Sequence, residues 1–234
     1  MRFYTNVQMV GVNFLVRGYE NGKHFMTREK FNPTLFVPSN KKTKYQTLNG
    51  EYVEAVQPGS VRDCREFIKK YENVENFKIY GNTYYIYQYI SENYPEEELK
   101  FDISKIKLVT LDIEVASENG FPDPYLANEA ITAIAVRRLH GGTVVYGCGD
   151  FVNTDPNVEY KKCRDEYTLC KTFLADWEEN TPDIISGWNI KFFDIPYMHN
   201  RFQKIIGPDF TKKLSPWNAV VAREKVIKGK RQTA

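Results

Sequence analysis

Apolar and acidic residues alternate in the segment Leu108–Val115, and this alternation constrains the fold more than any other feature of the sequence. In a β-strand, successive side chains point to opposite faces of the sheet, so Asp112 and Glu114 would leave one face roughly 7 Å apart. An entirely apolar set would leave the other face: Val109, Leu111, Ile113 and Val115. The segment therefore predicts a strand that packs one face on a core.

The first part of the chain, residues 1–106, predicts an α+β domain. Its aromatic and β-branched segments are typical of strands, and Asn-Gly pairs at 21–22 and 49–50 indicate tight turns between them. A helix is expected to begin near Ser60, although the acid three residues later is Asp63 rather than the Glu or Gln that capping boxes prefer.

From residue 107 onward, the pattern changes to alternating strands and helices. After the first strand, a hairpin is followed by a helix at 165–178, a strand at 183–187 and a helix at 196–206. This order predicts an α/β domain built on a mixed sheet flanked by helices, with the domain boundary near residue 106.

The composition is that of a globular protein. The 234 residues are 42% hydrophobic, and a net charge of +2 excludes a basic tail or an acidic disordered segment. The four cysteines include no C-x-x-C pair, which argues against a zinc site or a disulfide framework. No stretch reaches the roughly 20 apolar residues that span a bilayer, so we expect a soluble intracellular protein without a membrane partner.

Asp112 and Glu114 are candidate metal ligands. The simpler interpretation is a strand face on which both acids are only solvated. Against it, Asp is disfavoured in strands, and two like charges on one face repel unless a cation lies between them. These two residues alone leave both interpretations open.

Asp194 is a third candidate, at the point where a strand end leads into a helix start. One interpretation makes Asp194 a helix N-cap and Asn189 a loop residue that satisfies its own backbone. The other notes that open α/β sheets bind ligands just beyond the carboxyl ends of their strands. With Asp112 and Glu114, Asp194 would then form a three-carboxylate cluster suited to Mg²⁺ or Mn²⁺, and two such ions hydrolyse phosphodiesters.

Two of these segments resemble the exonuclease motifs of family B DNA polymerases. Residues 111–115 (Leu-Asp-Ile-Glu-Val) are similar to the first motif, and Asn189 with residues 193–197 (Phe-Asp-Ile-Pro-Tyr) is similar to the second. The stretches 33–36, 118–124 and 213–216 extend the likeness, so that the whole chain resembles the N-terminal part of replicative polymerases of T-even-type bacteriophages.

The resemblance implies an N-terminal domain at 1–106 that contacts template DNA or RNA, and a ribonuclease-H-like 3′→5′ proofreading exonuclease domain at 107–234. It implies two-metal hydrolysis of the single-stranded primer end, with catalytic and metal-binding roles for Asp112, Glu114 and Asp194. The implied DNA-binding residues are Phe121, Asn189 and Phe193, together with Lys225 and Lys228 in the basic segment that follows residue 210. A solvated tail is the alternative for that basic segment. The implied location is the cytoplasm of an infected cell.

One part of the family pattern has no match. The third exonuclease motif places a Tyr shortly before a fourth catalytic Asp, but the acids after Asp194 are Asp209 and Glu224, and Ile205 and Val220 stand four positions before them. No polymerase motif is present either. We therefore expect an N-terminal fragment or a split subunit that needs the remaining polymerase domains or a C-terminal polymerase chain. The alternative is a catalytically inactive nucleic-acid-binding or assembly module.

Four tyrosines between residues 84 and 89 suggest base stacking at first sight. Their spacing is helical, which favours packing in the core or along the surface instead. The four are Tyr84, Tyr85, Tyr87 and Tyr89.

Overall fold

A computed structural model describes residues 1–96, 99–118 and 120–220, and the backbone of 224–227 and 230–233. The chain forms two compact units, Met1–Lys105 and Ile106–Ala234. Along the described residues, no helix is long and apolar enough to cross a membrane.

The first unit begins with an antiparallel three-stranded sheet. Its strands are β1 (Arg2–Val10), β2 (Asn13–Glu20) and β3 (Lys23–Lys30), in that order. Asn21 and Gly22 both have positive φ angles, 50° and 77°, as a two-residue hairpin turn requires. The hairpin predicted from this Asn-Gly pair is confirmed.

A second small sheet and two helices complete the first unit. The strands are β4 (Leu35–Pro38), β5 (Tyr45–Gln46) and β6 (Tyr52–Val56), with β6 in the centre. Helix α1 (Val61–Tyr71) begins at a reciprocal capping box in which Ser60 and Asp63 each accept from the other's backbone N–H. Asp63 therefore completes the capping box, in which Glu or Gln is the usual residue.

Helix α2 (Tyr85–Asn93) divides the tyrosines between core and surface. Tyr85 and Tyr89 are buried, and the Tyr89 ring stacks on Phe14 with centroids 5.0 Å apart. Tyr84 and Tyr87 are exposed. The packing interpretation is thus confirmed for the first pair, which lies one turn apart on the helix face that meets the sheet.

The second unit is built on a mixed five-stranded sheet. Its strands are β7 (Leu108–Val115), β8 (Ile131–Arg138), β9 (Thr143–Gly147), β10 (Val158–Lys162) and β11 (Ile184–Ser186). Their spatial order is β10-β9-β8-β7-β11; β7, β8 and β9 are antiparallel neighbours, and β10 and β11 run parallel to theirs. Strand β7 is therefore next to the edge, and the short β11 covers only its first residues.

Two helices cover one face of this sheet. Helix α3 (Glu166–Glu179) begins after Asp165, whose carboxylate accepts from the N–H of Thr168 at 2.8 Å. Helix α4 (Asp194–Ile206) is followed by the short α5 (Pro208–Thr211), a 3-10 turn at Lys212–Leu214, and the hairpin of β12 (Glu224–Ile227) and β13 (Lys230–Thr233). The apolar faces of β7, α3 and α4 meet in one core, in which every residue predicted as buried in α3 is buried: Leu169, Cys170, Phe173, Leu174 and Trp177.

Candidate active site

Strand β7 has one buried and one exposed face. Leu111 and Ile113 are buried in the core of the second unit, whereas Asp112 and Glu114 are exposed. Both acids therefore leave the strand on the side away from the core, as the alternation predicted.

Asp194 lies beside the same strand although it is 81 residues away along the chain. Its side chain is only 4% exposed, and its Oδ1 accepts a hydrogen bond from the backbone N–H of Ile113 at 3.2 Å. Phe193, not Asp194, is the N-cap residue of α4, and no side chain caps this helix. The interpretation of Asp194 as an N-cap is therefore wrong, because its carboxylate is turned to β7.

The edge of β7 explains why the carboxylate reaches that N–H. Strand β11 ends at Ser186, opposite Thr110, and the chain then passes so close that a Cβ on Gly187 would lie 2.6 Å from the carbonyl oxygen of Leu111. Beyond that point no strand pairs with this edge of β7 within the described ranges, and the Asp194 carboxylate bonds to the next N–H, that of Ile113.

Burial raises the pKa of Asp194, and the negative charge of nearby Asp112 raises it further. Hydrogen bonds from the backbone N–H groups of Asp194 and Ile113 oppose this shift. Asp194 is also the first residue of a 13-residue helix, where the helix dipole favours an anion. The ionised form is thus held by backbone dipoles but is in electrostatic conflict with Asp112.

The donor chemistry of this pair fits a hard divalent cation. A bound cation would offset the negative charge of Asp112 that raises the pKa of Asp194, and carboxylate oxygens are the ligands that Mg²⁺ and Mn²⁺ prefer. Asp112 is within electrostatic range of Asp194, and Glu114 lies two residues along the same exposed face as Asp112. Among the described residues, no group of three or more His, Cys, Asp or Glu side chains is arranged as a metal-ligating cluster.

An exposed aromatic ring packs against the residue that precedes Asp194. Phe121 is 86% exposed, and its ring lies 5.3 Å from that of Phe193, the residue before Asp194. The Phe193 ring in turn lies 5.6 Å from that of Tyr197, which is fully buried. The three rings lead from the core to solvent and leave the outermost face free to stack on a flat ligand.

Asn189 forms the turn before α4. It has a positive φ angle of 53°, its side chain is exposed, and its carbonyl oxygen accepts from the N–H groups of Phe192 and Phe193 at 2.9 and 3.0 Å. Asn tolerates this left-handed conformation better than most residues. Its backbone thus fixes the position of Phe193.

Residues 56–233 match the family model for the exonuclease domain of DNA polymerase family B. The chain belongs to the family B DNA polymerases. The resemblance inferred from the motifs of residues 111–115 and 193–197 is therefore confirmed. The mixed sheet with its flanking helices fits a ribonuclease-H-like α/β fold, and the strand sheets expected in the first part of the chain are present.

Nearly all of this family B chain is similar to curated DNA polymerases of phages. It is 30% identical over 254 residues to the DNA-directed DNA polymerase of Escherichia phage RB69, covering 96% of the chain and 28% of that protein. The DNA-directed DNA polymerase of Enterobacteria phage T4 is 27% identical, covering 94% of the chain and 27% of that protein. The DNA polymerase delta catalytic subunit of Plasmodium falciparum is 29% identical over 54% of the chain. The family B chain thus spans little more than a quarter of the length of the two phage polymerases.

Two of the predicted DNA-binding residues lie at the basic end of the chain. Lys225 is in β12, opposite Gln232 in the hairpin register, but its side chain is outside the described residues. Lys228 is outside them altogether. Their contact with DNA stays a prediction.

Sequence reasoning missed an ion pair that joins α3 to α4 in the family B chain. Glu166 and Arg201 form two parallel hydrogen bonds, with side chains only 14% and 13% exposed. The two residues are 35 positions apart, and neither belongs to a motif. No local pattern sets the pair apart, because α3 and α4 each carry other charged side chains, such as Lys171 and Asp176 in α3 and Lys204 in α4.

Proposed function

We propose that this chain carries the 3′→5′ proofreading exonuclease site of a family B DNA polymerase. In this proposal Asp112, Glu114 and Asp194 are the catalytic carboxylates and hold Mg²⁺ or Mn²⁺, in a site for two ions. The observation that carries the proposal is the buried Asp194 carboxylate on the edge of β7, within electrostatic range of Asp112.

The carboxylates have a defined task in such a site. When bound, the divalent ions supply a hydroxide nucleophile and stabilise the leaving oxygen of a phosphodiester. Asp194, held by the N–H of Ile113, has a fixed orientation, and a fixed ligand costs little ordering on binding. Residues 107–209 hold 16 acidic and 10 basic side chains. This negative charge need not repel DNA, because bound cations would reverse the charge at the site.

The aromatic pair binds the substrate in this proposal. The exposed face of Phe121, supported from behind by Phe193, stacks on the terminal base of a single-stranded primer end. Stacking accepts every base, as proofreading requires, and contributes about 1–3 kcal/mol per base. Asn189, Lys225 and Lys228 then contact the strand or its phosphates, and the first unit contacts template DNA or RNA.

The binding test uses a short single-stranded oligonucleotide with 2-aminopurine at its 3′ end and a phosphorothioate last linkage. We expect its fluorescence to change on binding in the presence of Mn²⁺, and Phe121→Ala to weaken the affinity about fivefold or more. Phe151→Ala is the matched control, because Phe151 is also exposed and also lies 5.3 Å from a partner ring, that of Tyr160. Equal losses in both variants would contradict the stacking role.

A second candidate function is nucleic-acid binding or polymerase assembly without hydrolysis. One observation favours it: the described residues hold no ready three-ligand metal cluster. Mixing this chain with a C-terminal polymerase chain separates the two functions. Excision of the 3′ nucleotide that is lost in Asp194→Asn supports the nuclease, whereas DNA or RNA binding that Asp194→Asn leaves intact, without excision, supports the binding module.

A further inference from the structure

A stripe of polar side chains on helix α4 faces the loop between β7 and β8, residues 116–130. The stripe consists of Tyr197, Asn200, Arg201 and Lys204. These residues are at positions i, i+3, i+4 and i+7, which lie on one side of a helix. Every one of them donates a hydrogen bond to a backbone carbonyl within residues 124–129.

The ends of that segment are held by two neutral donors. The Tyr197 hydroxyl donates to the carbonyl oxygen of Glu129 at 2.7 Å. The Asn200 Nδ2 donates to the carbonyl oxygen of Pro124 at 2.8 Å. Connecting segments are ordinarily more mobile than the elements they join, and these two bonds tie this segment to α4.

The middle of the segment is held by two cations. Arg201 Nη1 donates to the carbonyl oxygens of Ala127 at 3.2 Å and Asn128 at 2.7 Å. Lys204 Nζ donates to the carbonyl oxygen of Leu126 and, at 2.8 Å, to the Asn128 side chain. Hydrogen bonds from charged donors are stronger than neutral ones.

Glu166 of α3 fixes the guanidinium from behind. Arg201 Nε donates to Glu166 Oε1 at 2.8 Å, and Nη2 donates to Oε2 at 2.7 Å. The same Oε1 accepts from the N–H of Ile131, where β8 begins, at 2.7 Å. Arg201 therefore joins α3, α4 and the loop through a planar fork that a lysine does not reproduce.

Phe121 lies in the same loop, three residues before the held segment 124–129. The loop follows β7, which bears Asp112 and Glu114, and the N–H of Ala116 bonds to the carbonyl oxygen of Ala130 at 2.9 Å across its base. Helix α4, which holds the loop, itself begins at Asp194. One helix thus carries a candidate carboxylate and fixes the loop of the candidate stacking ring.

We propose that Arg201, oriented by Glu166, is a positioning residue of the nuclease site. It keeps the 116–130 loop in the place where Phe121 lies against Phe193, next to Asp194. Arg201 acts through the loop and touches neither DNA nor metal. The inference rests on the proposed function, because it needs Phe121 to contact the primer end.

The test is a double-mutant cycle with the 2-aminopurine oligonucleotide. Arg201→Lys keeps the charge but loses the fork, and we expect it to weaken oligonucleotide affinity about fivefold, close to the loss in Phe121→Ala. In the Phe121→Ala background, Arg201→Lys should have no further effect, and Mn²⁺ affinity should stay unchanged in both. Arg164→Lys, in an exposed pair with Asp165, is the matched control without effect. The same loss in both backgrounds would indicate a merely structural role and overturn the inference.

A second measurement does not depend on DNA. Amide hydrogen exchange at Ala127 and Ile131 should be faster in Arg201→Lys and unchanged in Arg164→Lys. If exchange is unchanged in Arg201→Lys while the unsubstituted chain binds the oligonucleotide normally, the inference is overturned and the proposed function stands. Absence of binding by the unsubstituted chain overturns the proposed function and the inference with it. If Arg201→Lys does not fold, Asn200→Ala removes one bond of the same stripe and should show the same coupling to Phe121 with a smaller loss.

Discussion

The two faces of β7 have the same backbone but opposite roles. Leu111 and Ile113 pack into the core of the second unit, whereas Asp112 and Glu114, which alternate with them, are exposed. Substitutions on the first face should change folding stability and leave ligand binding intact, and substitutions on the second should do the reverse. A strand next to a sheet edge can thus contribute to the core and to a site at once, because its side chains alternate between the two faces.

Asp194 combines properties of both faces of β7. It is buried like the core residues and charged like the exposed ones, and it reaches the strand through the backbone N–H of Ile113. A buried acid near a second acid lowers stability unless a cation is present. Asp194 is therefore the position at which stability and the proposed function should conflict.

The largest effect on stability is expected from the core face. Leu111 is 1% exposed, and Leu111→Ala should lower the free energy of unfolding by about 2–5 kcal/mol through the lost burial and the cavity left behind. Urea denaturation measures this loss. Leu48→Ala, at a fully exposed leucine of the first unit, is the control and should change the same quantity by less than about 0.5 kcal/mol. Similar losses in both variants would contradict the assignment of Leu111 to the core.

In the absence of divalent ions, Asp194→Asn should raise the stability of the fold, by less than Leu111→Ala lowers it. Since the pKa of Asp194 is raised by burial, folding favours the protonated form, and the stability that this form contributes is lost as the pH rises through the raised pKa. Asn resembles the protonated form and keeps an oxygen for the Ile113 N–H. We expect a Tm a few degrees above that of the unsubstituted chain at neutral pH, and a difference that disappears in acid.

Thermal unfolding in chelator, followed from about pH 3 to pH 8, checks this sign, because the range starts below the ordinary pKa of an Asp. A variant that is less stable than the unsubstituted chain at neutral pH would show that the ionised carboxylate stabilises the fold. The interpretation of Asp194 as an acid whose ionised form destabilises the fold in the absence of a cation would then be wrong.

The smallest stability effect is expected on the exposed face. Asp112→Asn should change the free energy of unfolding by no more than about 0.5 kcal/mol, as surface substitutions usually do. It should nevertheless lower the pKa of Asp194, because it removes the negative charge that raises it. Carboxyl carbon NMR of Asp194 measures that pKa directly, and an unchanged value would mean that the two acids do not interact.

The sequence predicted those parts of the fold that depend on local pattern. The alternation in β7 and the apolar faces of α3 and α4 are short-range features, and the structure has all three elements close to their expected bounds. Strand β10 was missed because three of its five residues, Val158–Lys162, are charged and it pairs only at the sheet edge, parallel to β9.

The parts of the site that depend on distant contacts were not predictable in the same way. The local pattern around Asp194 equally allowed a helix cap, and only the end of β11 at Ser186 shows why its carboxylate turns to Ile113. The bonds of Arg201 to Glu166 and to the loop carbonyls depend on how α3, α4 and the loop pack, which no local spacing reveals.

A Mn²⁺ titration of the chain, followed by electron paramagnetic resonance, tests directly whether these carboxylates bind a metal ion. We expect saturable binding that Asp112→Asn and Asp194→Asn each weaken by at least about tenfold, which is about 1.4 kcal/mol. Glu179→Gln, at an exposed acid at the end of α3, should leave binding unchanged. Binding that is equally strong in all three variants, or no binding by the unsubstituted chain, would contradict the assignment of these carboxylates as a metal site.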